Sequence, residues 1–240
     1  MDKMNLDIME QADKDYNPIP MIDEWLSIHI DDTKWNKYQS IIDEYKKDDK
    51  EILEKSIDVV KRATAIDTGA IEGLYDVDRG FTFTVATQAA MWEIQAREKR
   101  KEFLPLFESQ LKAYDMVIDL ATKKEPITEA WIRRLHEEIC RSQKTYKIYT
   151  KIGDELVEQE HELNHGEYKK FSNHVITSDG KVHSYAPVLD TPSEMNRLCM
   201  ELGKESFQDV HPVIQASYAH YALVAIHPFS DGNRNGVRLL

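Results

Sequence analysis

His227-Pro-Phe-Ser-Asp-Gly-Asn-Arg-Asn-Gly-Val-Arg-Leu-Leu240 ends the chain and gathers three kinds of chemistry into one short segment. His227 follows an apolar helical run. Imidazole is the side chain that exchanges a proton near neutral pH without a large pKa shift. A general base has to lie within hydrogen-bond reach of its proton, so the end of a rigid helix is a good place for one. Pro228 ends that helix, because the residue before a proline avoids the right-handed α region. Asp231 is a hard oxygen ligand of the kind Mg2+ takes when it also carries substrate phosphates. Gly232 brings conformational freedom, and Asn233 is a good N-cap that tolerates left-handed angles. A helix opening near Asn233 aims free N–H groups at an anion, and Arg238 adds a bidentate fork. Taken singly, each of these residues also reads as part of a surface turn.

The rest of the composition bounds the setting. A chain of 240 residues that is 41% hydrophobic holds one domain or one and a half, with a sizeable core. Its net charge of −12 argues against nucleic-acid binding and against anionic membranes. Cys140 and Cys199 stand far apart, with neither zinc spacing nor a disulfide framework, and read as free thiols of a reducing cytoplasm. The first residues are charged (Asp2, Lys3, Asp7, Glu10) and carry no apolar signal core. No stretch approaches the roughly 20 apolar residues of a membrane span. A cytoplasmic location is expected.

Apolar spacing predicts a mostly helical chain. Residues 1–49 read as an N-terminal helical extension: Asn17-Pro-Ile-Pro20 interrupts it, Trp25, Leu26 and Ile28 dock on the body, and Trp35, Tyr38, Ile41, Ile42 and Tyr45 form a core-facing stripe. Ile52, Leu53, Ile57, Val60, Ala63 and Ile66 predict a helix over about 50–73, closed by Gly73. Glu72 lies at its C-terminal end, where a negative charge opposes the macrodipole and calls either for solvent or for a cation. Further helices are expected at 85–101, around Phe107–Ala121, after the Thr128 cap with Trp131, Leu135 and Ile139 inward, after Thr191, and after Asp209 up to His227. His136 and His220 read as packed or hydrogen-bonded structural histidines. Residues 151–165 are acidic and read as a loop. Asn173–Thr177 and Lys181–Tyr185 flank Ser178-Asp-Gly180, a hairpin signal.

The terminal segment resembles the signature of the Fic (Fido) family, H-P-F-x-D-G-N-G-R-x-x-R. His227, Pro228, Phe229, Asp231, Gly232, Asn233 and Arg238 match it, while Arg234 and Asn235 stand where the family has glycine and arginine. Thr68, Glu72 and Gly73 resemble the family's [S/T]-x-x-x-E-[G/N] pattern, found in the class with an N-terminal inhibitory helix. The resemblance covers roughly residues 50–240. It implies a mainly α Fic-type helical bundle with a β-hairpin flap over the active site. It also implies a C-terminal end that is truncated, because the family continues with more helix.

The resemblance implies a protein adenylyltransferase that moves AMP from ATP to a Ser, Thr or Tyr hydroxyl of a target protein. His227 is then the base and Asp231 the Mg2+ ligand. Gly232, Asn233, Arg234, Asn235, Gly236 and Arg238 hold ATP. Asn173, His174, Val175 and Ile176 dock the target on the flap, with self-modification also expected and a homo-oligomer open. Glu72 inhibits by pairing with Arg238. Three alternatives remain at this point. Glu72 positions water for removal of AMP; Arg234, as in the Doc-type branch, turns the nucleotide round for phosphate transfer; or the chain is a degenerate, non-catalytic nucleotide-binding regulator.

Overall fold

The computed structural model describes residues 11–48, 50–71, 103–152, 155–177, 181–233 and 236. The expected helix at 85–101 lies outside them. The chain forms two compact units, one of Met1–Leu26 with Asp119–Leu240 and one of Ser27–Ile118. Most of the described chain is helical, as the periodicity predicts.

In the second unit, α1 (Thr33–Asp48) packs against α2 (Lys50–Ile71). The expected core stripe of α1 is not a core stripe: Tyr38, Ile41 and Tyr45 are all exposed. Ile52, Ile57 and Val60 of α2 are exposed as well. Each helix of a pair offers one narrow contact face, so apolar residues outside that seam stay in water. Burial sets in near the end of α2, at Ala65, Ile66 and Thr68. α3 (Phe103–Lys123) follows, with Pro105 tolerated in its first turn and Phe107, Gln110 and Ala113 buried.

The first unit carries the site. Thr128 caps α4 (Glu129–Ile139), its hydroxyl accepting from the Trp131 amide at 3.2 Å. Ile132, Leu135 and Ile139 form the inner face. α5 (Thr191–Leu202) buries Met195, Leu198 and Leu202 and has proline in its first turn. The short α6 (Glu205–Asp209) takes up Asp209, so the cap of α7 (Pro212–Ile226) is His211, whose Nδ1 accepts from the Val213 amide. α7 buries Ile214, Tyr218, Ala222, Leu223 and Ile226 and packs on α5, but His220 is exposed rather than packed.

Residues 11–26 lie along this unit. Ile19 and Ile22 are buried, and their backbone amides are met by α5 carboxylates. Glu194 accepts from Tyr16 Oη at 2.7 Å and from the Ile19 amide at 3.2 Å, while Glu201 accepts from the Ile22 amide at 2.9 Å. Trp25 docks as expected, edge-on to Tyr218 with ring centroids 5.5 Å apart, whereas Leu26 is exposed.

The acidic stretch expected to be a loop is largely a strand. β1 (Thr145–Ile152) and β2 (Glu155–Glu162) pair antiparallel, with Thr145 opposite Glu162 and Ile152 opposite Glu155. Opposite charges across the ladder explain why acidic residues are tolerated here: Lys147 pairs with Glu158 at 2.7 Å. The hairpin signal is met by β3 (Val175–Ile176) and β4 (Val182–His183), with Val175 opposite His183 and Ile176 opposite Val182. Among the described residues no helix is long and apolar enough to cross a membrane.

Candidate active site

α7 delivers His227. The helix ends there with the His227 amide still bonded to Leu223 O at 2.9 Å, and His227 itself takes left-handed angles, φ 49° and ψ 60°. For a non-glycine residue that conformation costs on the order of 1 kcal/mol, so neighbours must hold it. One neighbour is Tyr185, just past β4, whose buried ring stacks on the imidazole at 4.0 Å between centroids and 15° between planes. The Tyr185 amide donates to His174 Nδ1 at 3.0 Å, and His174 Nε2 lies 2.8 Å from Asp13 Oδ1. The flap root, the 11–26 segment and the histidine are thus linked within one unit.

The turn after His227 is held from below. Asn233 is buried and uses its carboxamide on Phe229, accepting from the Phe229 amide at 2.8 Å and donating to its carbonyl at 2.6 Å. The Phe229 ring stacks on His136 of α4 at 3.9 Å. His136 Nε2 lies 2.9 Å from Asp231 O, and its Nδ1 accepts from the Gly166 amide at 2.9 Å. Because Nδ1 accepts, Nε2 carries the proton and donates to Asp231 O. Burial holds the His136 pKa down at about 4, so the ring is neutral. Gly232 has φ 71°, and a β-carbon there would collide with Cys140 Sγ and sit 3.2 Å from His136 Nε2. The glycine therefore meets both a backbone and a packing demand. Burial also pushes the Cys140 thiol up to about 12, which leaves it an inert filler beneath the turn.

This support presents Asp231 outward. Its carboxylate is exposed, with Oδ2 accepting from Gln143 Nε2 at 2.7 Å and Oδ1 from the Gly232 amide at 2.8 Å. Among the described residues, two of roughly four lone-pair positions are used. Among the described residues no group of three or more His, Cys, Asp or Glu side chains gathers to hold a metal ion. A single oriented carboxylate fits Mg2+, which keeps waters and shares substrate phosphates, and does not fit a closed protein cage. Gly236 is a helical residue whose amide donates to Gly232 O at 3.2 Å, and a β-carbon built there would meet nothing within 4 Å among the described residues.

Sequence reasoning expected all these residues to be close together, and His227, Asp231, Gly232, Asn233 and Gly236 are found within one turn and its helix start. Asn173 and His174 lie beside them with side chains turned inward, while Val175 stays exposed in β3 and the Ile176 backbone pairs with β4. Arg234, Asn235 and Arg238 lie outside the described residues, as do Glu72 and Gly73. Thr68, in the other unit, is buried near the end of α2 with its hydroxyl 3.5 Å from that of Tyr114. Four supporting residues were not legible as part of a site. His136 read as structural, and its spacing of four from Cys140 was the signal that both meet the turn. Gln143, Tyr185 and Lys169 act across long sequence separations and left no local pattern. Lys169 is buried, and burial pulls its amine down to about 7.

Comparison with known proteins bears on the family and the fold. Residues 126–240 match the family model described as the Fic/DOC family. The chain is 52% identical over 46 residues to a protein adenylyltransferase Fic of Drosophila persimilis, a match that covers 19% of this chain and 9% of that protein. It is 38% identical over 80 residues to a protein adenylyltransferase Fic of Nematostella vectensis, covering 33% of this chain and 18% of the relative. The matched stretches thus span less than a fifth of these relatives. The crystal structure of a Fic domain containing signaling protein from Bacteroides thetaiotaomicron superposes with a TM-score of 0.59 at 26% identity, covering 78% of this chain and 62% of that one. A Fic family protein from Desulfovibrio desulfuricans shares the fold at a TM-score of 0.52 and 17% identity, covering 88% of this chain and 57% of that one.

Proposed function

We propose, from the match of residues 126–240 to the Fic/DOC family model, that the chain transfers AMP from ATP to a Ser, Thr or Tyr hydroxyl of a target protein. The observation that carries the proposal is the pairing of a histidine fixed in left-handed geometry at the end of α7 with an exposed, oriented Asp231 carboxylate on the next turn. Relatives named protein adenylyltransferases support the same reading, over short stretches.

His227 takes the proton from the target hydroxyl as the oxygen attacks the α-phosphorus. The new bond joins that oxygen to phosphorus, the bond to the bridging oxygen breaks, and pyrophosphate leaves. The Tyr185 stack and the Leu223 carbonyl hold the imidazole in line for this transfer. Gly232 and Asn233 shape the turn that meets the phosphates, and because the Gly232 amide is bonded to Asp231 Oδ1 the N–H groups that follow it are the ones assigned to the anion. Asp231 would hold Mg2+, which would supply neutralisation of phosphate charge. The target lies along the flap at Val175–Ile176, where main-chain pairing recognises an extended segment without regard to its side chains. Arg238 completes phosphate binding on the strength of the sequence match alone, and Arg234 and Asn235, which depart from the signature, are assigned there by their position in the segment alone.

Autoinhibition belongs to the same proposal. Glu72 is next in sequence to Ile71, the last described residue of α2, and its carboxylate is assigned to Arg238, where it competes with the γ-phosphate. The test is mass spectrometry of Glu72→Gly protein incubated with ATP and Mg2+, beside the Glu72→Gly/His227→Ala double variant. AMP adducts that vanish with His227→Ala support the proposal. Adducts that persist without the imidazole, or a nucleotide-binding protein that never acquires AMP, contradict it.

A further inference from the structure

Four consecutive carbonyls run past the end of α7, from Ile226 to Phe229, and each is met by the segment that leads into the flap. Lys169 Nζ donates to Ile226 O at 3.3 Å. Asn173 Nδ2 donates to His227 O at 3.2 Å and to Phe229 O at 3.0 Å. The Lys169 amide donates to Pro228 O at 2.8 Å. Lys169 Nζ also donates to Asn173 Oδ1 at 2.8 Å, which ties the two side chains together. That bond fixes the carboxamide orientation: its oxygen faces the amine and its two N–H groups face carbonyls, so a flip would set oxygen against oxygen and nitrogen against nitrogen.

Such a complete pairing is more than a loop needs. A helix C-terminus leaves carbonyls unpaired that water ordinarily satisfies. Here protein donors bind them on either side of the residue whose left-handed backbone aims the imidazole. Lys169 is 3% exposed, an unusual place for an amine unless it holds something.

We propose that Lys169 and Asn173 are positioning residues for His227, forming a clamp that holds the backbone of residues 226–229 so that the imidazole keeps its angle over Tyr185. The kinetic part of this proposal rests on the adenylyl-transfer reading; the structural part does not. The clamp acts on the backbone on either side of the base and touches no reacting atom. It also joins the base to β3, since Asn173 lies two residues before Val175.

The test uses the full chain labelled with 15N in its histidine rings. Ring resonances of His227, assigned by their loss in His227→Ala, are compared between wild type, Lys169→Met, Lys169→Arg and Asn173→Asp. Asn173→Asp keeps size and shape but turns a carboxylate toward the His227 and Phe229 carbonyls, so it stays informative if Lys169→Met does not fold. Thr128→Ala weakens the same unit at the α4 cap and serves as the control for a merely structural effect.

The clamp predicts that Lys169→Met and Asn173→Asp shift and broaden the His227 ring signals, that Lys169→Arg largely preserves them, and that Thr128→Ala leaves them in place. Transfer rates fall by about a hundredfold in the first two variants with ATP affinity retained, the scale expected for a misplaced reacting group. His227 signals that superimpose on wild type in folded Asn173→Asp and Lys169→Met protein overturn the proposal. So do signals that move equally in Thr128→Ala. Transfer is read in the Glu72→Gly background, where the proposed inhibition is lifted; if that protein transfers no AMP, the functional reading falls, while the ring comparison, which needs no nucleotide, still decides the clamp.

Discussion

Acid should loosen the turn that carries Asp231, and His136 sets the size of the effect. An unfolded imidazole binds a proton near 6.5, whereas the folded site resists until about 4 because the ring is buried. The unfolded state therefore gains protons first as pH falls. Stability contributed by the neutral ring is complete above 6.5, declines below it, and is gone once pH has passed through 4. The gap of about 2.5 pH units, at about 1.4 kcal/mol each, amounts to about 3 kcal/mol. Protonation also puts a hydrogen on Nδ1, so that two donors face each other at the Gly166 amide. The perturbation is His136→Gln, which can still donate to Asp231 O but does not titrate. Urea unfolding of both proteins from pH 7 to pH 4 measures the difference, and the carboxylates common to both cancel to first order. Wild type should lose about 3 kcal/mol relative to the variant across that range. A difference that stays flat means His136 is not held neutral by this site, and the account of how Asp231 is supported fails.

Other expectations follow from the same contacts. Gly232→Ala should cost about 2–4 kcal/mol, joining left-handed strain to the collision with Cys140 Sγ, and in a Cys140→Ala background only the strain of about 1–2 kcal/mol should remain; equal costs in the two backgrounds, by urea titration, would remove Cys140 from the argument. Glu194→Ala should destabilise the first unit by about 2–3 kcal/mol, because Tyr16 Oη, the Ile19 amide and Arg197 all lose their acceptor, and it should free residues 11–26 to limited proteolysis. Glu72→Gly should raise self-modification at least about tenfold if its carboxylate withholds a cation worth about 1.4 kcal/mol or more from the γ-phosphate; an unchanged rate in protein that binds ATP counts against autoinhibition.

Much of the architecture was readable before any coordinates. Helix periods, the Thr128 cap, proline at the start of α5, and the Asp-Gly hairpin are local signals, and local signals survive folding, whereas the cap expected at Asp209 moved to His211 because Asp209 belongs to α6. The site was readable where chemistry and spacing coincide, in His227 through Asn233. Three things were not. The aromatic stripe of α1 has the spacing of a core face, but periodicity says which residues share a side and not whether a partner covers it. β2 looked like an acidic loop because the basic residues of β1 that neutralise it are supplied by the other strand. His136 read correctly as a structural histidine, but its tie to the turn, and that of Asn173, were hidden, since pairings with carbonyls about 95 and 55 residues away leave no mark on the neighbouring sequence.

The central claim, adenylyl transfer by His227, is tested most directly with ATP labelled in turn at the α- and the γ-phosphate. Glu72→Gly protein is incubated with each in the presence of Mg2+, beside the Glu72→Gly/His227→Ala double variant. The account predicts that label from the α-phosphate becomes covalently bound, that label from the γ-phosphate does not, and that the double variant retains neither. Retention of the γ label would show phosphate transfer with the nucleotide reversed, and retention of neither by protein that binds ATP would contradict catalysis altogether.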